Sequence, residues 1–352
     1  MTISIIIPCR NEKRHIRPFL ESVLAQELDA GYELEILVAD GMSDDGTRTV
    51  LREYIAQSGE NRIRLIDNPG RIVSTGLNAA ILSACGEIIV RMDAHSTYAK
   101  DYVRECVKAL HETGADSVGG PWVADGKGVV GQAIATAFHA PFCTGGGKAH
   151  DPGYEGEVDT VYLGCWPRSA FDKTGLFDPE LVRNQDDEFH FRLRRSGGRV
   201  WQSPRIQSSY TPRASLKALF RQYLQYGFWK VAVMRKHAGL AAWRHAVPAL
   251  FVGSLLMEIL LIALSSIAGH PVAAARMAAV MALELILYLS ACVIAASTFA
   301  RTVSLPVLLL LPVVMIVYHV SYGLGFLLGL GSWITRLRRP STPSRLFTAL
   351  TR

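Results

Sequence analysis

The chain has 352 residues, 49% of them apolar, and a formal net charge of +6. This length and composition allow a sizeable core and two or three structural units. The six cysteines form no Cys-x-x-Cys pair, which argues against a zinc cluster, and the basic residues gather beside apolar segments, which favours a bilayer over a nucleic acid as the partner.

The first hundred residues alternate short apolar runs with segments whose apolar residues recur at helical spacing. The runs predict strands and the spaced segments predict helices. In chain order the predictions are strand 3–7, helix 12–26, strand 34–39, helix 48–56, strand 63–66, helix 74–84 and strand 88–92. Strands that are apolar on both faces and alternate with helices are typical of an α/β fold, with a parallel sheet covered by helices.

Polar residues follow three of these strands. They are Pro8-Cys9-Arg10-Asn11-Glu12, the loop that begins at Asp40, and Asp93-Ala94-His95. Because ligands bind at the carboxyl ends of the strands in such a sheet, we expect the three clusters to converge on one rim.

The segment 119–156 is rich in glycine and contains Gly145-Gly146-Gly147-Lys148. The spacing of a phosphate-binding P-loop is missing and no Ser or Thr follows the lysine, so the composition favours a mobile lid near the site. Beyond this segment we predict a strand at 158–163, a helix at 167–174 and a charged helix at 185–196.

Three apolar runs follow, at 246–268, 277–300 and 305–330. Each is long enough to cross a bilayer, which takes about 20 residues, whereas buried core helices of this kind would need a large soluble partner. Aromatic residues among basic ones in the preceding segment predict an amphipathic helix on the membrane surface. The predicted organisation is an α/β domain at 1–210, an amphipathic interfacial region at 211–245, two to four transmembrane helices at 246–333 and a basic tail at 334–352.

The orientation in the membrane has two opposing indications. No export signal precedes Pro8, so we expect the α/β domain in the cytosol. Three spans would then place the tail outside, although its arginines favour the cytoplasmic side, so that either one apolar stretch is re-entrant or interfacial or one long segment divides. Glu258 and Glu284 lie inside the apolar runs, and we expect them to face a protein interior because a charge facing lipid is costly.

Asp93 and His95 are alternate residues at a strand end, where two side chains can bind one cation. A hard cation that also binds phosphate oxygens needs only one or two protein ligands, and a histidine favours Mn²⁺ over Mg²⁺. The structural alternative is that Asp93 caps the following helix and His95 bonds to the backbone.

Gln185-Asp186-Asp187-Glu188 opens the charged helix. The helix dipole favours acidic residues in a first turn whatever their role. Three adjacent carboxylates also repel one another and raise at least one pKa, which suits a general base. Arg192 lies four residues after Glu188 and can neutralise part of this charge.

Three further residues have two interpretations each. Asp40 either accepts hydrogen bonds from a base or ribose or begins an ordinary Asp-Gly turn. Arg10 and Glu12 either clamp an anion and a hydroxyl or begin a capped helix. No single motif decides between these alternatives.

Seven motifs occur in order between residues 3 and 236: I-I-I-P-C-R-N-E, V-A-D-G-M-S-D-D-G-T, N-P-G-R-I-V-S-T-G-L-N-A-A, G-E-I-I-V-R-M-D-A-H-S, G-C-W-P-R-S-A-F, N-Q-D-D-E-F-H-F-R-L-R and Q-Y-G-F-W. In this order they closely resemble the family 2 glycosyltransferases, whose GT-A fold is a Rossmann-like nucleotide-sugar-binding domain. Within that family the chain looks most like the membrane-attached bacterial glucosyltransferases of succinoglycan-type exopolysaccharide assembly.

The resemblance implies a role for each matching residue. Asp93 and His95 take the place of the D-x-D motif, which binds the divalent metal, Mn²⁺ or Mg²⁺, that bridges the donor diphosphate. Asp186 takes the place of the catalytic base, and the segment from Gln225 to Trp229 takes that of a Q-x-x-R-W motif near the diphosphate. The residues that would hold the uridine half of the donor are Pro8, Arg10, Glu12 and Asp40, with Arg71 and Asn78 nearby.

Two residues depart from the family's pattern. His95 stands where the second Asp of D-x-D usually is, and Phe228 stands where the last motif has Arg. The positively charged side chain expected to contact the leaving diphosphate is therefore absent at position 228. Arg221 or Lys230 can supply that charge instead.

The resemblance implies an inverting glycosyltransferase, multi-pass in the inner membrane, with its catalytic domain in the cytosol. It would move a hexose, glucose from UDP-glucose as the first expectation, to a hydroxyl of a lipid-linked (polyprenyl-diphosphate) saccharide in exopolysaccharide or cell-surface glycan assembly. One alternative is a polyprenyl-phosphate glycosyl synthase, whose acceptor is a lipid phosphate. An alternative of another class, which His95 and Phe228 allow, is a non-catalytic membrane-bound nucleotide-sugar-binding subunit; the oligomeric state stays open.

Overall fold

Two structural units make up the chain in the computed structural model, which describes residues 1–237, 243–336 and Phe347. Each unit is assembled from two segments. The first unit comprises Met1–Ala124 and Gly147–Thr211, and the second comprises Asp125–Gly146 and the described residues from Pro212 onward. Most of the basic tail predicted at 334–352 lies outside the described residues.

The strands among the described residues all belong to the first unit. They are β1 (Thr2–Cys9), β2 (Glu33–Asp40), β3 (Ile63–Asp67), β4 (Ile88–Arg91), β5 (Ser96–Tyr98), β6 (Ser117–Gly120), β7 (Val123–Ala124), β8 (Gly156–Glu157), β9 (Tyr162–Pro167), β10 (Val200–Gln202) and β11 (Ser208–Tyr210). Eight of them form one sheet in the order β3-β2-β1-β4-β9-β6-β10-β8, and a small sheet has the order β5-β11-β7.

The large sheet is mixed. Strands β1 to β4 are parallel, as the sequence predicts, and bring their carboxyl ends to one edge. Strand β9 is antiparallel to both of its neighbours, β4 and β6. The parallel half of the sheet therefore carries the predicted rim.

Helices cover both faces of this sheet. In β1, Ile3, Ile5 and Ile7 belong to one buried layer and Ile6 to the other, so the strand is apolar on both sides. The α-helices of the described residues are α1 (Ile16–Leu24), α2 (Thr47–Ser58), α3 (Val73–Ser83), α4 (Tyr102–Thr113), α5 (Gly128–His139), α6 (Pro141–Thr144), α7 (Ser169–Thr174), α8 (Gln185–Arg195), α9 (Leu216–His237), α10 (Val247–Ile267), α11 (Pro271–Ser297) and α12 (Leu305–Arg336). Helices α1, α2 and α4 contribute to the first layer, and α3, α7 and α8 to the second.

Two predictions in the middle of the chain were wrong in detail. The strand expected at 158–163 begins only at Tyr162 and runs to Pro167. Part of the glycine-rich segment, expected to be a lid, forms α5 and α6 of the second unit. Helix α5 packs against α12, and such tertiary contact stabilises a helix that the local sequence alone does not favour.

The second unit is helical in the part that the structure describes. Three of its helical segments are long and apolar enough to cross a membrane, judged by length and composition: Trp243–Ile267, Pro271–Ser297 and Leu305–Ile334. Their large apolar side chains are widely exposed, as expected for surfaces that face lipid, for example Leu250 on α10 and Leu287 on α11.

Helix α9 packs closely against α12 at glycine residues. A Cβ atom added to Gly227 would lie 2.1 Å from the carbonyl oxygen of Tyr322, and one added to Gly325 would lie 2.0 Å from that of Leu224. Small residues let helix backbones approach to this distance, as at many helix contacts in membranes. Helix α9 is thus joined to the last candidate span along its own length.

Both glutamates of the apolar segments have protein surroundings. Glu258 is buried, and the hydroxyl of Ser254 donates a hydrogen bond of 2.7 Å to Glu284. For Glu258 this agrees with the expectation that a carboxyl group in such a segment faces protein rather than lipid.

Candidate active site

The carboxyl ends of β1, β2 and β4 bring the predicted polar clusters to one rim of the first unit. Cys9 lies opposite Asp40 in the β1–β2 register, and β4 pairs with the other edge of β1. The Nδ1 atom of His95 lies 3.9 Å from Oε1 of Glu12, so the clusters after β1 and β4 meet. Glu12 is buried, whereas more than half of the His95 side chain is exposed, at 54%.

Asp40 is completely buried at the end of β2. Its carboxylate accepts hydrogen bonds from the backbone N–H of Ser43 at 3.1 Å and from Nη1 of Arg48 at 3.3 Å, and the Ser43 hydroxyl also donates to it. Arg48 pairs in addition with Asp67. The Asp-Gly turn therefore exists as the structural alternative predicted, and the same contacts fix the direction of the Asp40 carboxylate.

Arg10 and Arg71 both lie close to Gly41. A Cβ atom added to Gly41 would be 3.2 Å from Cβ of Arg10 and 3.4 Å from Cα of Arg71. Arg71 adopts a left-handed backbone conformation with φ of 63°. Pro8, which pairs with Ala39, lies one residue from the end of β1. The structure thus brings these three predicted residues to the rim, while their contact with a donor stays a prediction.

Asn78 has a structural role in the second buried layer of this unit. Its Nδ2 donates to the carbonyl oxygen of Phe177 at 2.7 Å, and its Oδ1 accepts from the backbone N–H of Phe177 at 3.0 Å. These paired bonds attach α3 to the chain after α7. Both polar atoms of the Asn78 amide are therefore bonded to the backbone of Phe177. A contact between Asn78 and the donor stays a prediction.

Arg91, the last residue of β4, binds Asp93 through two parallel hydrogen bonds. Nε donates to Oδ1 at 2.8 Å and Nη2 donates to Oδ2 at 2.9 Å. Arg91 and Asp93 are both buried, at 4% and 7% exposure. A bidentate pair of this kind fixes the plane of the carboxylate as well as its position.

The remaining arm of the same guanidinium reaches Asp186 in the first turn of α8. Nη1 of Arg91 donates to Oδ1 of Asp186 at 2.5 Å. Burial opposes the charge of Arg91, but Asp186 and Asp93 outweigh it and raise the pKa of Arg91, so the guanidinium stays charged. One arginine therefore joins the predicted metal ligand to the predicted base.

Asp186 has the acid–base properties of a general base. Burial raises its pKa to about 6; Arg91 opposes this rise, whereas the charges of Asp93 and Asp187 add to it. About a third of the side chain, 35%, still reaches solvent, which leaves it accessible to a substrate. A carboxylate with a pKa close to the working pH is well suited to accept a proton.

Sequence reasoning did not single out Arg91. It lies in the run Ile88-Ile89-Val90-Arg91-Met92, whose apolar character predicts only a buried strand. An arginine is almost never fully buried without a partner, so a charge inside such a run is the signal that could have identified it.

Two tyrosines support the segment around Asp93. The hydroxyl of Tyr98 accepts from the backbone N–H of Asp93 at 2.6 Å and lies 3.1 Å from its carbonyl oxygen. The hydroxyl of Tyr162 is 2.6 Å from that of Ser96. These bonds hold the turn between β4 and β5. Asp93 does not cap a helix, because strand β5 is the element that follows it.

Glu188, in the same acidic turn of α8, has a structural role. Glu188 is buried and accepts from Nε of Arg192 at 2.6 Å and from Nη2 at 2.9 Å, which confirms the expected neutralisation. Burial lowers the pKa of His190 to about 4, so it is neutral at pH 7, and its two ring nitrogens lie 3.0 Å and 2.9 Å from the hydroxyls of Ser117 and Thr160. These contacts fix the helix that carries Asp186.

The residues at the rim fit a divalent cation that takes most of its ligands from elsewhere. Among residues 1–237, 243–336 and 347, no three His, Cys, Asp or Glu side chains are grouped as a metal site. Asp93, whose carboxylate Arg91 holds just after the end of β4, and His95, two residues further on, would be the one or two protein ligands that a cation bound to phosphate oxygens needs.

Gln225 and Trp229 lie on α9 in the second unit. Both are buried there, and the indole N–H of Trp229 donates to the carbonyl oxygen of Phe347 at 2.9 Å. Phe228, at the position of the family's Arg, stacks on Phe347 with 3.9 Å between ring centroids. The proposed part of this segment in diphosphate binding stays a prediction.

Comparison with known proteins gives consistent matches. Residues 4–175 match the family model described as glycosyl transferase family 2. The chain is 33% identical over 249 residues to the succinoglycan biosynthesis protein ExoA of Rhizobium meliloti (strain 1021), which covers 69% of this chain and 73% of that protein.

A second relative covers nearly the whole chain. It is the dolichyl N-acetyl-alpha-D-glucosaminyl phosphate 3-beta-D-2,3-diacetamido-2,3-dideoxy-beta-D-glucuronosyltransferase of Methanococcus voltae, 25% identical over 93% of this chain and 97% of its own length. Among solved structures, the mannosyltransferase PcManGT from Pyrobaculum calidifontis, in complex with GDP-Man and Mn²⁺, aligns with a TM-score of 0.56 at 18% identity, over 92% of this chain and 86% of that one. The shared fold confirms the predicted GT-A class.

Proposed function

The chain belongs to glycosyl transferase family 2, and from this premise we propose that it moves a hexose from a nucleotide-sugar to a hydroxyl of a lipid-linked saccharide. UDP-glucose is the proposed donor. The observation that carries the proposal is the position of Asp186: an accessible carboxyl group with a pKa of about 6, held by Arg91 next to Asp93.

Asp186 acts as the general base in this proposal. Above its pKa the carboxylate accepts the proton of the acceptor hydroxyl, and the oxygen attacks the anomeric carbon on the face opposite the leaving nucleoside diphosphate. A single displacement inverts the configuration at that carbon. Arg91 holds the Oδ1 atom of Asp186, which leaves Oδ2 to receive the proton.

The donor is proposed to lie along the rim formed by β1, β2 and β4. Asp40 and Glu12 are the proposed acceptors for hydrogen bonds from the uridine half, and Arg10 lies beside Gly41 with Arg71. Asp93 and His95 would hold a divalent cation, Mn²⁺ or Mg²⁺, which when bound neutralises charge on the leaving diphosphate. A role of Gln225 and Trp229 in diphosphate binding is proposed from the resemblance of their segment to the family's motif alone.

The acceptor is proposed to be a saccharide on a polyprenyl diphosphate. The three candidate spans support an acceptor presented at a membrane, and the Methanococcus voltae relative is named for a lipid-linked sugar acceptor. The similarity to ExoA supports a place in the assembly of an exopolysaccharide or another cell-surface glycan. We propose a multi-pass protein of the inner membrane with a cytosolic catalytic domain at 1–210.

The test is a transfer assay on the purified full chain. Nucleotide-sugars are supplied one at a time with Mn²⁺ and a lipid extract containing polyprenyl-linked saccharides, and released nucleotide and labelled lipid product are measured. We expect transfer from one UDP-hexose, and Asp186→Asn is expected to lower it about a thousandfold.

Asp187→Asn is the matched control, since it removes a charge from the same helical turn without breaking the bond to Arg91. It is expected to lower transfer less than about tenfold, because the lost charge shifts the Asp186 pKa but leaves the base in place. Full activity of Asp186→Asn would contradict the proposal and favour a lipid phosphate acceptor, which needs no base. Absence of nucleotide-sugar binding by calorimetry would reject both.

A further inference from the structure

The guanidinium of Arg91 contacts two carboxylates at once, at 2.8 Å and 2.9 Å for Asp93 and 2.5 Å for Asp186. Because the Arg91 side chain is only 5% exposed, water screens these charges poorly.

A divalent cation on Asp93 would have to share that carboxylate with the guanidinium. The two positive charges would then be a few ångströms apart, and their repulsion in a poorly screened place weakens cation binding. A diphosphate would supply negative oxygens that offset this repulsion and would serve as further ligands for the cation. The cation therefore gains from arriving together with the diphosphate.

We propose that Arg91 is a positioning residue that holds Asp186 and competes with the divalent cation for Asp93, so that the chain binds the cation alone weakly and takes it up together with the donor. The inference deepens the proposed function and rests on its cation site at Asp93. Asp186 also affects cation binding, because its carboxylate offsets part of the positive charge that Arg91 places next to Asp93.

Two substitutions are expected to change cation affinity in opposite directions. Arg91→Met removes the competing charge and is expected to tighten the binding of Mn²⁺ alone by about tenfold or more. Asp186→Asn leaves the whole charge of Arg91 on Asp93 and is expected to weaken it by about tenfold. A residue that served only to stabilise the fold would weaken binding when removed.

Arg91→Lys distinguishes the effect of the positive charge at position 91 from the effect of the planar guanidinium group. It keeps the positive charge, so its affinity for Mn²⁺ alone is expected to stay within about threefold of the natural chain. It loses the planar fork that holds both acids, so kcat is expected to fall more than the donor KM rises. Asp93→Asn is the control that abolishes binding at this site.

The experiment measures the binding of MnCl₂ to the purified full chain by calorimetry and by electron paramagnetic resonance, without donor or acceptor. Far-ultraviolet circular dichroism and thermal unfolding check each variant. If Arg91→Met does not fold, the near-isosteric Asp186→Asn and the charge-conserving Arg91→Lys carry the test.

Unchanged or weaker Mn²⁺ binding by a folded Arg91→Met, or tighter binding by Asp186→Asn, would overturn the inference. The inference would also be overturned if Arg91→Lys bound Mn²⁺ alone as tightly as is expected for Arg91→Met. Because no sugar is present, failure of the transfer assay with all nucleotide-sugars would reject the proposed function while the cation affinities still decide this inference.

Discussion

Arg91 and Asp186 are 95 residues apart in the sequence, yet the guanidinium of one donates directly to the carboxylate of the other. The contact joins the end of a central strand to the first turn of α8. It also lowers the pKa of Asp186 against the stronger effect of burial, which leaves the value at about 6. The acid–base behaviour of the site therefore depends on a residue that does not itself exchange protons.

The pH dependence of transfer follows from this value. A base acts only when deprotonated, so kcat/KM is expected to be flat well above pH 6 and to fall tenfold per pH unit well below it, with the midpoint near 6. Arg91→Lys is expected to move this midpoint upward, because a lysine that holds Asp186 less closely opposes the effect of burial less. Initial rates from pH 4.5 to 8.5 would check both, and a flat profile in the natural chain would contradict the role of Asp186.

The Arg48 contact with Asp40 predicts a selective effect on donor binding. Arg48→Met removes the 3.3 Å bond that helps to fix the buried carboxylate, so the donor KM is expected to rise about tenfold with a smaller change in kcat. Arg52→Met, an exposed position on the same helix, is the matched control and is expected to leave KM within about twofold. Equal effects of the two substitutions would speak against a donor-positioning role for Asp40.

His95 predicts the metal preference. Replacing it with Asp substitutes a hard oxygen ligand for imidazole, so activity with Mg²⁺ is expected to gain relative to activity with Mn²⁺. The measurement is the ratio of kcat/KM with the two metals at saturating concentration. His95→Ala is the control: if it leaves both the ratio and the rate unchanged, His95 is not a ligand and Asp93 alone binds the cation.

The close packing of α9 on α12 predicts a stability effect at Gly325. Gly325→Ala places a methyl group 2.0 Å from the carbonyl oxygen of Leu224, so the helices must separate, at a cost of about 1–3 kcal/mol. Gly331→Ala on the same helix meets nothing within 4 Å and is expected to be neutral or slightly stabilising. Thermal unfolding in detergent compares the two, and equal melting temperatures would contradict this packing.

The parts of the fold that follow local patterns were predictable. The parallel strands β1 to β4 and the meeting of Glu12 with His95 follow from apolar periodicity and from the rule that ligands gather at the carboxyl ends of strands. The role of Arg91 was not predictable from periodicity, since its partner Asp186 lies far along the chain. Helix α5 was missed for a related reason: its glycine-rich sequence is stabilised by α12, which the local pattern does not contain.

The two-segment make-up of the second unit has a consequence for biogenesis. Helix α5 buries Ala133, Ile134 and Phe138, and the carbonyl oxygen of Ile134 accepts from the hydroxyl of Tyr318 on α12, 184 residues later. During translation this apolar helix leaves the ribosome long before its partner is made, so its apolar residues have no α12 to pack against until then, and such exposed apolar surface promotes aggregation. A fragment ending at residue 211 would keep α5 and lack α12, so its expression as a soluble enzyme is expected to end in aggregation rather than in a detached catalyst.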